Sequence, residues 1–265
     1  MLTTTQFCQV DSDSYASLAD TMNNDGFVCI ANFFTVEQLA ALRALVSSEA
    51  TRHSGQYFAY HDHPALRDSL LGALGNCIGF RSLLEGLYLE ATGTRPSSVE
   101  LLQVLRCVQG RSGRKQSNAF HYDASLVTVL VPIDIPDDGE QRGDLLVFPN
   151  LRRVRPAVWL NLFEKVLLQN ALSRKFIVIG INQGWLNPLR LKLEPGNIYL
   201  FWGYRSLHAN EPCNTSQRRA TAIFHYGDPH TGSLTTRLIL ALTQYRARKA
   251  TRRAAKQSAS AIKLN

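Results

Sequence analysis

The sequence has few of the features that mark membrane, disulfide-rich or low-complexity proteins. Its longest charge-free apolar stretch, residues 176–189, is interrupted by Asn, Gln, Gly and Pro and is shorter than the roughly 18 residues that a membrane helix needs. The five cysteines are widely spaced without a CxxC pair, so we expect free thiols and neither a disulfide framework nor a thiolate zinc site. Residues 1–11 lack the basic start and apolar core of a signal peptide. We therefore expect a cytoplasmic protein without a membrane span.

The sequence also lacks linkers and internal repeats, and its C-terminal part lacks acidic residues. Nothing rich in Pro, Gly or Ser divides the 265 residues, so we expect one domain over residues 1–265. No acidic residue follows Asp228, and the eight Lys and Arg residues beyond it equal the whole formal net charge of +8. A nucleic-acid-binding domain carries its charge on the folded body, whereas here the charge belongs to a predicted basic C-terminal helix or tail over residues 237–265. We expect no nucleic-acid partner, and docking of the tail on an acidic partner is the alternative.

The apolar pattern predicts helices first and many short strands afterwards. Thr35 and Gln38 form a capping-box pattern at the start of a helix. Other helical patterns cover residues 14–23 and pieces of 64–93. Strand patterns cover residues 26–31, 100–108, 125–135, 145–148, 176–181, 191–193, 198–202 and 219–226. This order predicts a mostly β fold with a helical jacket around an all-β core and an insertion at about 151–190.

The segment with the clearest chemical meaning is Phe120-His121-Tyr122-Asp123. In a strand, residues i and i+2 lie on the same face, so His121 and Asp123 would present an imidazole beside a carboxylate. His208 is the candidate third ligand, 85 residues after Asp123. Two histidines and one carboxylate form the facial triad of non-haem Fe(II) oxygenases, which leaves open positions on the metal.

The sequence around and after His208 supports this interpretation. Pro195-Gly196-Asn197 predicts a tight turn into the strand pattern at 198–202. Arg219 follows His208 by eleven residues, and Thr221 shares its predicted strand face. A guanidinium and a hydroxyl together suit a buried carboxylate.

Together these residues resemble the iron(II)/2-oxoglutarate-dependent oxygenases, specifically the phytanoyl-CoA hydroxylase-like family. The family pattern is HxD, a Gly-x-Leu strand closed by Pro, a Pro-Gly-[Asp/Asn] turn, a distal His and a following Arg. The matching residues here are His121, Asp123, Gly143, Leu145, Pro149, Pro195, Gly196, Asn197, His208 and Arg219. The resemblance covers about residues 15–230. It breaks down after Pro149, where Asn150-Leu151-Arg152 stands in place of the family's Gly-Ser-His.

The resemblance implies a double-stranded β-helix core, jelly-roll or cupin-like, with N-terminal helices. It implies Fe(II) on His121, Asp123 and His208, and 2-oxoglutarate as co-substrate with its far carboxylate on Arg219 and Thr221. The family's halogenating members lack the carboxylate ligand, so Asp123 implies hydroxylation or a related oxidation of an unactivated C–H bond. The reaction would consume O2 and release succinate and CO2. The expected substrate is a small molecule, anionic or carrier-tethered, in secondary metabolism (biosynthesis).

Further candidate residues flank the triad. Gln103 and Arg106 lie on opposite faces of the predicted strand at 100–108. We assign Gln103 to the co-substrate, and Arg106, Tyr122 and Trp202 to the substrate. For Trp202 the alternative is packing inside the barrel.

Other functions stay open on the sequence alone. A non-catalytic metal-binding β-helix module has no need of both triad and anchor, and a zinc-type hydrolase using the same triad leaves Arg219 unexplained. The nucleic-acid demethylases resemble this sequence less well, because their pattern has a second Arg six residues after the first. That position is His225 here. We expect His225 to be structural, His61 and His63 to lie in a polar loop, and Arg218 to face away from Arg219.

Overall fold

The computed structural model describes residues 13–114, 116–137, 141–154 and 170–229. Its helices are α1 Asp13–Asn24, α2 Val36–Arg52, α3 Pro64–Arg67, α4 Leu70–Asn76, α5 Ile78–Thr92, α6 Gly110–Arg114 and α7 Ala171–Asn182. Its strands are β1 Val28–Ile30, β2 Phe58–His61, β3 Leu101–Val108, β4 Val127–Asp134, β5 Leu145–Phe148, β6 Leu189–Leu191, β7 Ile198–Trp202, β8 Leu207–Asn210 and β9 Arg219–Tyr226. Within the described ranges, no helix combines the length and hydrophobicity needed to cross a bilayer.

The strands form two antiparallel sheets that face each other. The larger sheet has the order β1-β7-β4-β9-β3-β2, and the smaller has the order β6-β5-β8. One apolar cluster contains side chains of both sheets, with Leu130 and Phe201 from the larger one and Val147 and Leu191 from the smaller one. Because side chains of the two inner faces share this cluster, the sheets enclose a common interior. The arrangement is consistent with a jelly-roll core.

Helices cover the outer faces of both sheets. Leu42 of α2 and Phe80 of α5 pack with Val129 and Phe224 on the outer face of the larger sheet. On the smaller sheet, Ile177, Val178 and Ile181 of α7 pack against a cluster that includes Phe120 and Leu146. The larger sheet is therefore buried on both sides, which explains why β4 is buried from Val127 to Ile133.

The predicted capping box begins α2. The Thr35 hydroxyl accepts a hydrogen bond from the Gln38 backbone N–H at 3.3 Å, and the Gln38 side chain accepts one from the Thr35 N–H at 2.9 Å. These bonds satisfy two N–H groups that the first helical turn would otherwise leave unpaired, an effect of about 1 kcal/mol. The predicted pattern is thus confirmed, and the capping box sets the first turn of α2 after β1.

Most predicted strands are confirmed, with some corrections. The strands at 145–148, 198–202 and 219–226 have the predicted bounds, and those at 26–31, 100–108 and 125–135 are trimmed at their ends. The strand predicted at 191–193 lies at Leu189–Leu191. The sequence patterns missed β2 and β8, which are only four residues long.

The strand predicted at 176–181 is wrong, because these residues lie within α7. Asn170 caps the helix by accepting a hydrogen bond from the Ser173 N–H at 2.8 Å. Packing of Ile177, Val178 and Ile181 on the smaller sheet then overrides the β propensity of this β-branched run. The insertion predicted at about 151–190 ends where β6 of the smaller sheet begins. Residues 155–169 of it, and the basic tail at 237–265, lie outside the described residues.

Candidate metal centre

His121, Asp123 and His208 come together at one end of the interior. Asp123 Oδ1 lies 3.5 Å from His121 Nε2 and 3.6 Å from His208 Nε2. One ligand atom from each residue can be chosen so that all three lie within 4.8 Å of one another. Two imidazole nitrogens and one carboxylate oxygen on one side of a metal leave the other side open for further ligands.

Backbone pairing holds the three residues in register. His121 and His208 exchange both of their N–H···O bonds at 3.0 Å, so the segment before Asp123 continues the smaller sheet beside β8. The Asp123 N–H donates to the carbonyl of Gly203 at 3.0 Å, in the turn between β7 and β8. The strand-like geometry puts His121 and Asp123 on the same side of the chain, while Tyr122 packs in the cluster beneath α7.

Hydrogen bonds orient both imidazoles. Nδ1 of His121 lies 2.8 Å from the carbonyl of Ala119, and Nδ1 of His208 lies 3.0 Å from that of Ser206. A carbonyl only accepts, so each Nδ1 carries a proton and Nε2 is the nitrogen left to bind a metal. Burial lowers the pKa of His208 to about 4, which keeps this ring neutral at physiological pH.

The Asp123 carboxylate is held in one orientation and kept charged. Its Oδ2 accepts a hydrogen bond from the Thr128 hydroxyl at 2.6 Å, which leaves Oδ1 facing the two histidines. Burial by itself raises the pKa of Asp123, but the neighbouring His208, His225 and His121 together bring it well below the usual value. The site therefore presents one negative charge and two imidazole nitrogens to a divalent cation.

We expect Thr128→Val to weaken metal binding without unfolding the protein. The valine keeps the shape of the side chain but frees Asp123 Oδ2, and loss of such a supporting hydrogen bond typically costs 10- to 100-fold in metal affinity. Anaerobic Fe(II) titration measures the change. Thr51→Val is the matched control, because this exposed hydroxyl only bonds to Ser47 in its own helix. Equal affinity in wild type and Thr128→Val would contradict a supporting role.

A second polar cluster lies on β9. Arg219 is 2% exposed and donates from Nη2 to Asn210 Oδ1 at 2.9 Å. Its Nε and the Thr221 hydroxyl are buried and have no hydrogen-bond partner within the described ranges. Burial, then the nearby Arg106, lowers the pKa of Arg219 to about 10, so the guanidinium stays charged at neutral pH. A buried cation and hydroxyl with free donors form a place for an anionic group.

Glycine at position 143 makes room for this arginine. Gly143 has a φ of +77°, and a Cβ there would come within 2.7 Å of Arg219 Cδ. Gly143 is one of the residues that carry the family resemblance, and its place in the fold supplies a steric reason for a glycine.

Three residues assigned to ligands on sequence grounds are not brought to the centre. The Gln103 side chain lies against Gly75 of α4, on the helix-covered face. Trp202 also lies on that face, where its Nε1 donates to Asn23 Oδ1 at 3.0 Å. The Tyr122 ring packs 3.9 Å from the Arg152 guanidinium.

Arg106, in contrast, lies on the inner face. It is directly opposite Thr221 in the pairing of β3 with β9. Of the two faces of β3, the inner one therefore carries the arginine and the outer one the glutamine.

Sequence reasoning missed Thr128 and gave His225 only a structural role, yet both are neighbours of Asp123. Thr128 and His225 are cross-strand partners in the pairing of β4 with β9. His225 Nδ1 lies 3.4 Å from the Thr128 hydroxyl and 3.7 Å from Asp123 Oδ2. The signal that could have found Thr128 is its polar side chain within the otherwise apolar run at 126–133.

The other histidine and arginine candidates lie away from the centre or have structural contacts. His61 is the last residue of β2, which corrects its predicted loop position, and it lies opposite Val104. His63 caps α3 by accepting from the Ala65 N–H at 3.2 Å. Arg218 faces away from Arg219, as expected, and pairs with Asp134 at 2.6 Å.

The chain is similar in fold to several solved oxygenase structures. A prolyl 4-hydroxylase from Phytophthora capsici has 15% identity and a TM-score of 0.55, covering 92% of this chain and 76% of that one. A prolyl hydroxylase from Trichoplax adhaerens has 14% identity and a TM-score of 0.52, covering 82% and 90%. The non-haem alpha-ketoglutarate-dependent epimerase SnoN from nogalamycin biosynthesis has 16% identity and a TM-score of 0.52, covering 82% and 84%.

Sequence comparison adds no closer assignment. No protein-family model matches the chain, and no curated protein matches it. At identities of 14–16% the structural likeness establishes the fold. The phytanoyl-CoA hydroxylase-like family stays a prediction.

Proposed function

We propose that this chain is an Fe(II)/2-oxoglutarate-dependent oxygenase that oxidises an unactivated C–H bond of a small-molecule substrate. The observation that carries the proposal is the coexistence of two sites in one interior. A His-Asp-His set with metal-ligand geometry accompanies a buried arginine and threonine whose free donors lack a partner among the described residues. A structural metal would account for the first site alone, whereas a co-substrate with a carboxylate accounts for both.

The residues present fit iron and 2-oxoglutarate. His121, Asp123 and His208 would hold Fe(II), since each offers one correctly oriented donor atom. Arg219 and Thr221 would bind and orient the far carboxylate of the co-substrate. When bound, iron and 2-oxoglutarate supply the activation of O2 and the oxidation of substrate, with succinate and CO2 as by-products. The protein contributes the position and orientation of these groups.

Asp123 directs the proposal towards hydroxylation. A carboxylate that occupies the third protein position on the metal leaves no vacancy there for a halide. Its hydrogen bond with Thr128 holds it in that position. We extend the proposal to a hydroxylase of the phytanoyl-CoA hydroxylase-like family, acting in secondary metabolism on an anionic or carrier-tethered substrate.

Anaerobic titration of Fe(II) and 2-oxoglutarate tests the proposal. We expect wild type to develop the weak visible charge-transfer band of the chelate, His121→Ala to lose it, and Arg219→Ala to need far more co-substrate. Arg218→Ala is the matched control, because its guanidinium pairs with Asp134 and faces away from the interior. Absence of the band in folded wild type at saturating iron and co-substrate would contradict the proposal.

The same titration distinguishes the proposed oxygenase from both alternatives. A non-catalytic metal-binding module would bind Fe(II) without any band that depends on 2-oxoglutarate. A zinc-type hydrolase would likewise not respond to 2-oxoglutarate, and it does not explain the donors of Arg219 and Thr221 that lack a hydrogen-bond partner in the described part of the chain.

A further inference from the structure

Arg106 lies beside the proposed carboxylate site. In the antiparallel pairing of β3 with β9, Arg106 is opposite Thr221 and Val108 is opposite Arg219. Residues opposite each other in such a pair share a face, and diagonal neighbours are within reach of long side chains. Arg106, Thr221 and Arg219 therefore project from the same patch of the inner face.

This patch holds more positive charge than the protein itself neutralises. No carboxylate forms an ion pair with Arg106 or Arg219 within the described ranges, and the nearby Asp144 lies 3.7 Å from Arg142. Two guanidinium groups in one partly buried place repel each other, and Arg106 contributes to the lowered pKa of Arg219. Such an arrangement is costly unless an anion binds between the charges.

Each guanidinium donates from one nitrogen to a neighbouring protein oxygen, and another of its nitrogens has no hydrogen-bond partner among the described residues. Arg106 donates from Nη2 to the carbonyl of Gln116 at 3.1 Å, and Arg219 donates from Nη2 to Asn210. Asn210 in turn accepts a backbone bond from Asn118 at 2.7 Å. The segment that leads into His121 is thus tied to both arginines.

The Nε atoms of the two arginines are the free ones. Both are buried without a hydrogen-bond partner in the part of the chain that the structure describes, and so is the Thr221 hydroxyl. Three donors on one patch of the sheet are thus left for a ligand. A carboxylate has two oxygens and about four acceptor positions, enough for all three donors.

We propose that Arg106 and Arg219 form a two-guanidinium anchor, with Thr221, for the far carboxylate of the keto-acid co-substrate. The inference rests on the proposed function and deepens it, because it assigns Arg106 to the co-substrate and not to the substrate. The anchor explains why two arginines occupy the interior with no ion pair to an acidic side chain among the described residues. It also links the bound carboxylate, through Gln116, to the segment that carries His121.

Anaerobic binding of two keto acids to the Fe(II) protein tests the anchor. The probes are 2-oxoglutarate and 2-oxobutyrate, which share the keto-acid end and differ in the far carboxylate. We expect Arg106→Gln to raise the Kd for 2-oxoglutarate about 10- to 100-fold, the size of a lost charge-assisted hydrogen bond. The Kd for 2-oxobutyrate should stay unchanged, and Arg106→Lys should recover part of the lost affinity.

The controls distinguish the possible failures. Arg95→Gln removes an exposed arginine that lies 3.7 Å from Glu85, and it should leave both Kd values unchanged. If Arg106→Gln and Arg106→Lys bind 2-oxoglutarate like wild type while Arg219→Gln does not, the anchor is wrong and the proposed function stands. An equal loss for both keto acids would also overturn the anchor, since it indicates a structural role. Absence of any chelate band in wild type would overturn the proposed function and the anchor together.

Discussion

Gly203→Ala is expected to abolish tight iron binding in a protein that still folds. Gly203 lies in the turn between β7 and β8, and its carbonyl accepts the N–H of Asp123 at 3.0 Å. A Cβ at this position would overlap both the Thr128 hydroxyl oxygen and Asp123 Oδ2. These two atoms are bonded to each other at 2.6 Å, and Thr128 is fixed by its place in β4. The carboxylate must therefore leave the position in which Oδ1 faces the two imidazoles.

Displacement of one of three ligands should cost at least as much as loss of a supporting bond, so we expect the affinity to fall by more than about 100-fold. Anaerobic Fe(II) titration measures the affinity, and thermal unfolding of the metal-free protein checks the fold. Gly184→Ala is the control: it has a φ of +72° but nothing within 4 Å of a new Cβ. That variant should lose about 1 kcal/mol of stability through backbone strain and bind iron normally. Normal iron binding by Gly203→Ala would contradict the geometry of the centre.

Trp202→Ala is expected to cause the largest loss of stability of the variants considered. The indole is fully buried between the larger sheet and the helices. Its Nε1 donates to Asn23 Oδ1, which ties β7 to the end of α1. Removal of a buried tryptophan leaves a cavity, and the free energy of unfolding should fall by about 3–5 kcal/mol.

Denaturant unfolding of the metal-free protein measures this loss. Trp185→Ala is the matched control, because this indole is 75% exposed and its removal should change the stability by less than about 0.5 kcal/mol. Trp202→Phe should keep much of the packing and leave the binding of iron and 2-oxoglutarate intact. If Trp202→Ala retained full stability and instead lost ligand binding, the helix-covered position of this residue would be wrong.

Local sequence signals determined much of the metal centre. The i, i+2 spacing placed His121 and Asp123 on one side of an extended segment without any knowledge of the fold. The capping pattern at Thr35 determined the start of α2, because its hydrogen bonds join residues only three apart. Turn residues next to short apolar runs located β5 and β7 for the same reason. These features depend on neighbours in the chain, which the sequence displays directly.

Only the tertiary structure decided which face of each strand points inward. Alternation separates Gln103 from Arg106, but the larger sheet is covered by helices on one side and by the smaller sheet on the other. Both faces are therefore buried, and the usual contrast between a solvent-exposed polar side and a buried apolar side is missing. The sequence could not tell that Gln103 and Trp202 lie on the helix side.

The pairing of distant segments was likewise beyond the sequence. The sequence offered His208 as a candidate ligand. Its register opposite His121 comes from the backbone hydrogen bonds between β8 and residues 118–121. The same holds for Thr128 and His225, which meet at Asp123 only because β4 pairs with β9. Local spacing thus determined which groups could bind a metal. Packing of both sheet faces and pairing of strands far apart in the chain decided which groups surround them.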